Sequence, residues 1–443
     1  MQVINSKRIT SNIIKGSLGN LIEWFDWYVY ASFAIYFAKS FFPSGDQTSQ
    51  LLSAAAIFAV GFLMRPIGSL IMGKFADQHG RKAALTVSVS IMATGSFLIA
   101  LIPTYSTIGV YAPILLVLIR MIQGLSLGGE YGISATYLSE MASAGHRGYY
   151  ASFQYVTLIS GQLLALIVQI VLQGSLTTAQ LNSFGWRIPF AIGAMGALVV
   201  LYLRLSMDET SQFKQEAKTK QKRGTLRQLA KYPNQVLTVV GLTLGGTISF
   251  YTFTTYMQKY MINTLGLQPK VVTVINFAAL FIYMLMQPIY GRLSDKIGRK
   301  PLLYWFGILG TLLTVPIFVG LKYFSNPIAS FLLMLAGLAI VSGYTSVNAV
   351  VKAELFPTEI RALGVGFPYG MTVAVFGGTV EYVALWLKHI GHEDWFFFYV
   401  SATVLISLIV YARMLETSKN SSLDQKADYG VKTPEQLSNQ NQI

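Results

Sequence analysis

Residues 73–82 read G-K-F-A-D-Q-H-G-R-K, and residues 291–300 read G-R-L-S-D-K-I-G-R-K. One ten-residue pattern thus occurs twice, 218 residues apart, each time between two long apolar runs. A second pair repeats with it: Glu140 and Arg147 in one half, Glu354 and Arg361 in the other, both spaced E-x6-R. Two ordinary basic turns would account for the Lys and Arg but not for the paired Gly and Asp. The offset is about half of the 443 residues, which points to two equivalent halves in a parallel repeat.

The surroundings of the two loops set the class. The chain is 53% hydrophobic and only 12% charged, whereas a soluble domain carries about 25% charged residues. Twelve apolar runs, at roughly 14–38, 51–73, 83–104, 110–137, 149–173, 186–205, 235–260, 271–292, 302–321, 328–351, 362–388 and 395–413, are each long enough to cross a bilayer. They are continuous rather than alternating, which excludes a β-barrel. The predicted fold is an all-α membrane protein of twelve transmembrane helices. Residues 1–205 and 235–414 form its six-helix halves, joined by a cytoplasmic linker over 206–234. The polar stretch 415–443 is expected to be a disordered cytoplasmic tail.

The basic excess, 33 Lys and Arg against 19 Asp and Glu, gives a formal charge of +14. Nucleic acid is excluded as its target, because the apolar content is too high. The charge instead orients the chain. With both termini cytoplasmic, 25 basic residues fall on the cytoplasmic side, six on the outer side, and Arg65 and Arg120 inside spans. The N-terminal stretch carries Lys7, Arg8 and Lys15 with no small-residue cleavage site, so the first helix reads as an anchor. There is no cysteine, the four His form no metal-spaced group, and no HExxH, P-loop or nucleophile elbow occurs. No enzyme, metal or cofactor is expected.

In the repeated loops, Gly73, Gly80, Gly291 and Gly298 permit tight turns and close helix approach. Asp77 and Asp295 suit hydrogen bonds from a helix N-terminus or an Arg. Arg81 and Arg299 can pair with Glu140 and Glu354, forming latches that hold one conformation and open in another. This constellation reads as gating.

Six ionisable residues lie within spans: Glu23, Asp26, Arg65, Arg120, Glu130 and Glu381. Such groups default to being functional, because burying a charge in a bilayer costs at least ~2.5–3.5 kcal/mol. Glu23, Asp26, Arg65 and Glu130 share a half-depth layer. Arg120 lies about 15 Å from Glu130 along the axis, too far for direct pairing. Glu23 and Asp26 share a helix face with Asn20 and Tyr30. Arg65 either reads a substrate carboxylate in bidentate fashion or bridges permanently to Glu23 or Asp26. Gly61 and Gly68 leave room beside it for a helix or a ligand. Around Glu130, Gly124, Gly128, Gly129 and Gly132 indicate tight packing. Glu381 reads as an outer structural pair. Lys352 and Arg187, near helix ends, read as snorkelling.

The D-x-x-G-R-K loops and the two-fold repeat resemble the major facilitator superfamily. N-L-I-E-W-F-D-W-Y from Asn20 and R-M-I-Q-G-L-S-L-G-G-E-Y-G from Arg120 resemble its metabolite–proton symporter branch. So do A-S-F-Q-Y-V-T-L-I-S-G-Q-L-L-A-L from Ala151, F-Y-T-F-T-T-Y-M-Q-K-Y from Phe250 and K-A-E-L-F-P from Lys352. The resemblance implies a monomeric symporter of a bacterial-type inner membrane, moving a small dicarboxylate, 2-oxoglutarate first, with protons. It implies substrate contacts at Gln162, Tyr251 and Thr255 beside Arg65, although interhelical bonding would explain the same side chains. From the superfamily's proton-coupled sugar porters it implies a proton switch of Arg120 with Asp26 or Glu23, Glu130 being a further candidate. Citrate, shikimate or a zwitterionic osmolyte are alternative substrates, and a non-transporting membrane sensor is the reading from another class.

Overall fold

Backbone polar groups inside a bilayer must be satisfied within the segment, so long apolar runs fold as helices. The structure, a computed structural model, describes residues 6–79, 81–128, 131, 139, 145–205, 226–357 and 360–419, without the side chains of 6–20, 73, 74, 76–79, 81, 82, 84, 85, 204 and 362. Among the described residues no strand occurs and twelve long helices do. They are α1 Ser6–Phe41, α2 Gln47–Met72, α3 Arg81–Leu101, α4 Tyr111–Leu127, α5 Arg147–Ser175, α6 Gly185–Leu203, α7 Pro233–Asn263, α8 Pro269–Ile297, α9 Lys300–Tyr323, α10 Pro327–Leu355, α11 Leu363–His389 and α12 Glu393–Arg413. Nine of these, α2 and α5 to α12, are long and apolar enough to cross a membrane, while α3 and α4 carry shorter apolar stretches. Each of the twelve coincides with one of the twelve apolar runs. Most of the 206–234 linker, residues 206–225, lies outside the described residues; Leu226–Leu229 is a helical turn.

Lipid supplies no hydrophobic force between helices, so close packing through small residues holds them together. At the α2–α4 crossing a Cβ on Gly124 would fall on the Gly61 carbonyl oxygen, and one on Gly128 on the Arg65 carbonyl oxygen. The space beside Arg65 is therefore filled by α4. Gly124→Ala is expected to destabilise the protein by about 1–3 kcal/mol, because backbone on both sides cannot yield. An unchanged melting temperature in detergent would contradict this crossing.

The halves α1–α6 and α7–α12 meet chiefly through α5 against α8 and α2 against α11. At the end bearing the repeated loops, the Gly148 and Tyr149 amides donate to Asp295 at 2.7 and 2.9 Å. At the far end, Asn263 donates to Thr48 at 3.3 Å, and Ser49 lies 3.4 Å from His389 Nδ1. Between them, Gln258 donates to Gln169 at 3.1 Å and Gln173 to Thr273 at 3.1 Å. The two halves are thus in contact at both ends. Three interruptions lie in the second half: π-helical turns at Thr252–Tyr256 in α7 and Val373–Gly377 in α11, and a break between Thr345 and Asn348 in α10. Such irregular turns free backbone and redirect side chains, and recur at functional sites.

Candidate functional site

At mid-depth the halves border a small cavity of about 30 Å³, lined among others by Glu23, Arg65, Tyr131, Gln154 and Tyr369. Arg65 projects from α2 and is 7% exposed. Its guanidinium carbon lies 3.9 Å from the Phe62 ring centre, 4.6 Å from Trp27 and 5.1 Å from Trp24. Aromatic faces favour a cation but accept none of its hydrogen bonds. Its Nε and Nη2 have no hydrogen-bond partner among the described residues. Tyr251, on α7 of the other half, is its polar neighbour. Among the described residues no ion pair joins Arg65 to Glu23 or Asp26, so the permanent internal bridge is not what the fold builds. The buried, unsatisfied donors suit an incoming carboxylate.

A second constellation lies within the first half. Arg120 on α4 is fully buried, with its Nη1 3.8 Å from Asp26 Oδ2 on α1. Gln123 ties the pair together: it accepts from Arg120 Nη1 at 3.0 Å and donates to Asp26 Oδ2 at 3.0 Å. Ser96 of α3 donates to the other carboxylate oxygen. The Arg120 guanidinium also lies 4.0 Å from the Trp27 ring centre and 4.5 Å from that of Tyr30. Of the two span-one acids, Asp26 is thus the partner of Arg120. Glu23 lines the cavity instead, with the Ser88 hydroxyl 3.5 Å away.

Other predicted residues fall differently. Gln162 donates to the Thr254 carbonyl at 2.5 Å, joining α5 to the π-turn of α7, and Thr255 lies 3.4 Å from Thr254 Oγ1. Neither lines the cavity. Glu381 pairs at 2.5 Å with Lys259, both buried. Arg187 does not simply snorkel; its Nη1 donates to the Ala100 and Ile102 carbonyls at 3.2 and 2.7 Å, capping α3. Lys352 is the larger correction. It is fully buried, with its ammonium 3.7 Å from the Tyr369 ring centre, in the short helical stretch that follows the break before Asn348. Glu130 lies outside the described residues.

The chain as a whole has counterparts elsewhere. A family model of the Major Facilitator Superfamily matches residues 16–372 and 259–434. The chain belongs to the major facilitator superfamily. It is 52% identical over 411 residues to an alpha-ketoglutarate permease of Escherichia coli (strain K12), covering 93% of this chain and 95% of that one. It is 33% identical over 432 residues to a proline/betaine transporter of the same organism, covering 94% and 85% respectively. Among solved structures, the proton:xylose symporter XylE, bound to 6-bromo-6-deoxy-D-glucose, superposes with a TM-score of 0.75 at 18% identity. The match covers 96% of this chain and all of that one. This last likeness concerns the fold alone.

As a facilitator it is a multi-pass membrane protein, and the second of its repeated loops has a described geometry. In the second half, Arg299 reaches Asp295 at 2.8 Å and Glu354 at 3.2 Å, as the motif spacing predicts. Gly298 makes the turn with φ +94°, which favours glycine. Asp295 caps the N-terminus of α5 from across the interface, and Gly291 lies against Gly148. Residues assigned to the tail take part as well: Glu416 accepts from the Arg299 and Lys300 amides at 2.9 Å each, and Thr417 donates to Glu354 at 2.6 Å. Partial burial opposes ionisation of Glu416, but these amide donors and Ser418 hold its carboxyl below the ordinary glutamate range. In the first half, Gly80 and Glu140 lie outside the described residues, as do the side chains at Gly73, Asp77 and Arg81; so do tail residues 420–443. Sequence reasoning missed Tyr131, Gln154, Tyr369 and Asn348 altogether. Gly366 and Gly370 flanking Tyr369 were the available signal.

Proposed function

We propose that this facilitator is a proton-coupled symporter that imports a small dicarboxylate, 2-oxoglutarate foremost, by alternating access. Arg65 carries the reading: a buried guanidinium stacked on aromatic rings, with Nε and Nη2 unpartnered among the described residues, in a cavity between the two moving halves. The 52% identical alpha-ketoglutarate permease and a 32% identical citrate-proton symporter of Klebsiella pneumoniae support an organic acid as cargo. Tyr251 positions the Arg65 guanidinium, while Gln162 and Thr255 set the position of the α7 π-turn. Asp26 with Arg120 forms the coupling site: a proton on Asp26 weakens its hold on Arg120 and biases one conformation. Glu23 and Glu130 are further proton carriers. The loops at Gly73, Asp77, Gly80 and Arg81 with Glu140, and at Asp295, Gly298 and Arg299 with Glu354, act as the gates. The protein works as a monomer in a bacterial-type inner membrane with both termini cytoplasmic, the side on which 25 of its basic residues then fall.

Energetics favours this coupling. Moving a dianion into a negative interior costs ~2.3 kcal/mol per charge per 100 mV, or about 4.6 kcal/mol at that potential. Two protons neutralise the load and a third makes inward movement electrically favourable. In proteoliposomes, an imposed inward proton gradient is expected to concentrate labelled 2-oxoglutarate several-fold above equilibrium. Absence of gradient-driven accumulation would overturn the proposal. One observation favours a second reading: Glu23 and Arg65 face the same cavity, as a zwitterion would need, and a proline/betaine transporter is a relative. Competition by glycine betaine, but not by 2-oxoglutarate, would establish that reading instead.

A further inference from the structure

Lys352 is fully buried and its ammonium has no hydrogen-bond partner among the described residues. A lysine has three donors, and burying all of them unsatisfied is among the costlier arrangements a fold can keep. Its ion-pairing counterpart on α7, Lys259, shows the ordinary solution, a carboxylate at 2.5 Å. Lys352 has aromatic rings instead: its Nζ lies 3.7 Å from the Tyr369 ring centre and 5.6 Å from that of Tyr131. Those two rings stack on each other at 3.7 Å with 14° between their planes. Tyr131 belongs to the first half and Tyr369 to the second, so the stack is a contact between the halves. Asn348, one helical turn before Lys352, donates to Tyr155 at 3.0 Å and to Tyr131 at 3.4 Å, holding the cover in place from the same helix. Both rings also line the cavity that holds Arg65. Lys352 does not line it; the rings stand between.

We propose that Lys352 is the second carboxylate subsite, uncovered when the Tyr131–Tyr369 stack parts. One carboxylate of the substrate meets Arg65 of the first half and the other meets Lys352 of the second. A cation from each half makes the dianion a bridge between them, so that binding favours the state in which both halves approach it. A monocarboxylate reaches only one half. This inference rests on the dicarboxylate reading and adds the residue that selects two charges over one.

The test is ligand binding to purified wild type, Lys352→Met and Lys352→Arg, followed by thermal stabilisation. The probes are 2-oxoglutarate and 2-oxopentanoate, which replaces the distal carboxylate with a methyl group. Wild type is expected to prefer 2-oxoglutarate. Lys352→Met should lose roughly 30-fold or more in affinity for 2-oxoglutarate while its affinity for 2-oxopentanoate stays within twofold. Lys352→Arg should retain the preference. Without ligand, Lys352→Met should melt no lower than wild type, because it removes an unpartnered buried charge. Equal loss for both probes, no loss for either, or failure of both variants to fold would make Lys352 structural and overturn the inference. A wild type that binds neither probe would overturn the dicarboxylate reading itself, a separate outcome.

Discussion

Arg65→Ala is expected to yield a folded protein whose uptake of labelled 2-oxoglutarate falls about a hundredfold or more. The physical basis is asymmetry. Arg65 makes no ion pair among the described residues, so its removal strands no partner charge among them. A bound carboxylate, by contrast, would lose its charge-assisted partner in a site shielded from water, a loss of about 2–5 kcal/mol. Arg65→Lys should recover little, because an ammonium cannot reproduce the bidentate fork or the stacking on Phe62, Trp24 and Trp27. Uptake within threefold of wild type in Arg65→Ala would remove this residue from the binding site. A melting temperature far below wild type would instead mark it as a structural cation.

Asp26→Asn is expected to separate movement from coupling. The amide keeps the shape and can still bond with Ser96 and Gln123, but it cannot gain or lose a proton. Arg120 then faces an unchanging neighbour and can no longer report proton occupancy. Gradient-driven accumulation in proteoliposomes should drop about tenfold or more, in line with a lost proton-transfer group. Counterflow exchange of labelled for unlabelled substrate should persist within a few-fold. An Asn variant that still concentrates substrate against a gradient would transfer the coupling role to Glu23, the acid that lines the cavity.

Legibility varied with the kind of property. Twelve spans, two halves and the Arg299–Glu354 pairing could be read directly, because each depends on run length or on spacing repeated at a fixed offset. Arg65 stood out because any guanidinium deep in an apolar run is anomalous. Asp26 and Glu23 could not be told apart. They sit three residues apart on one face, and which of them meets Arg120 depends on how α1 rotates against α3 and α4. The glycines beside Arg65 were compatible with a helix or a ligand, and only the α2–α4 crossing decides for the helix.

Lys352 and Lys259 show where linear reading stops. Both lie near the ends of apolar runs, where a window of hydropathy places basic residues at the membrane surface. Both are buried, Lys352 against the Tyr369 and Tyr131 rings and Lys259 against its carboxylate partner on α11. Depth and facing arise from irregular backbone and from neighbours hundreds of residues away. One-dimensional signals, namely apolar length, charge bias and a doubled motif, therefore sufficed for the class, the repeat and the Arg299–Glu354 pairing. The chemistry between the halves, which charge meets which and which cation waits behind the tyrosine stack, came from the folded chain alone, because a buried charge is defined by what surrounds it in space.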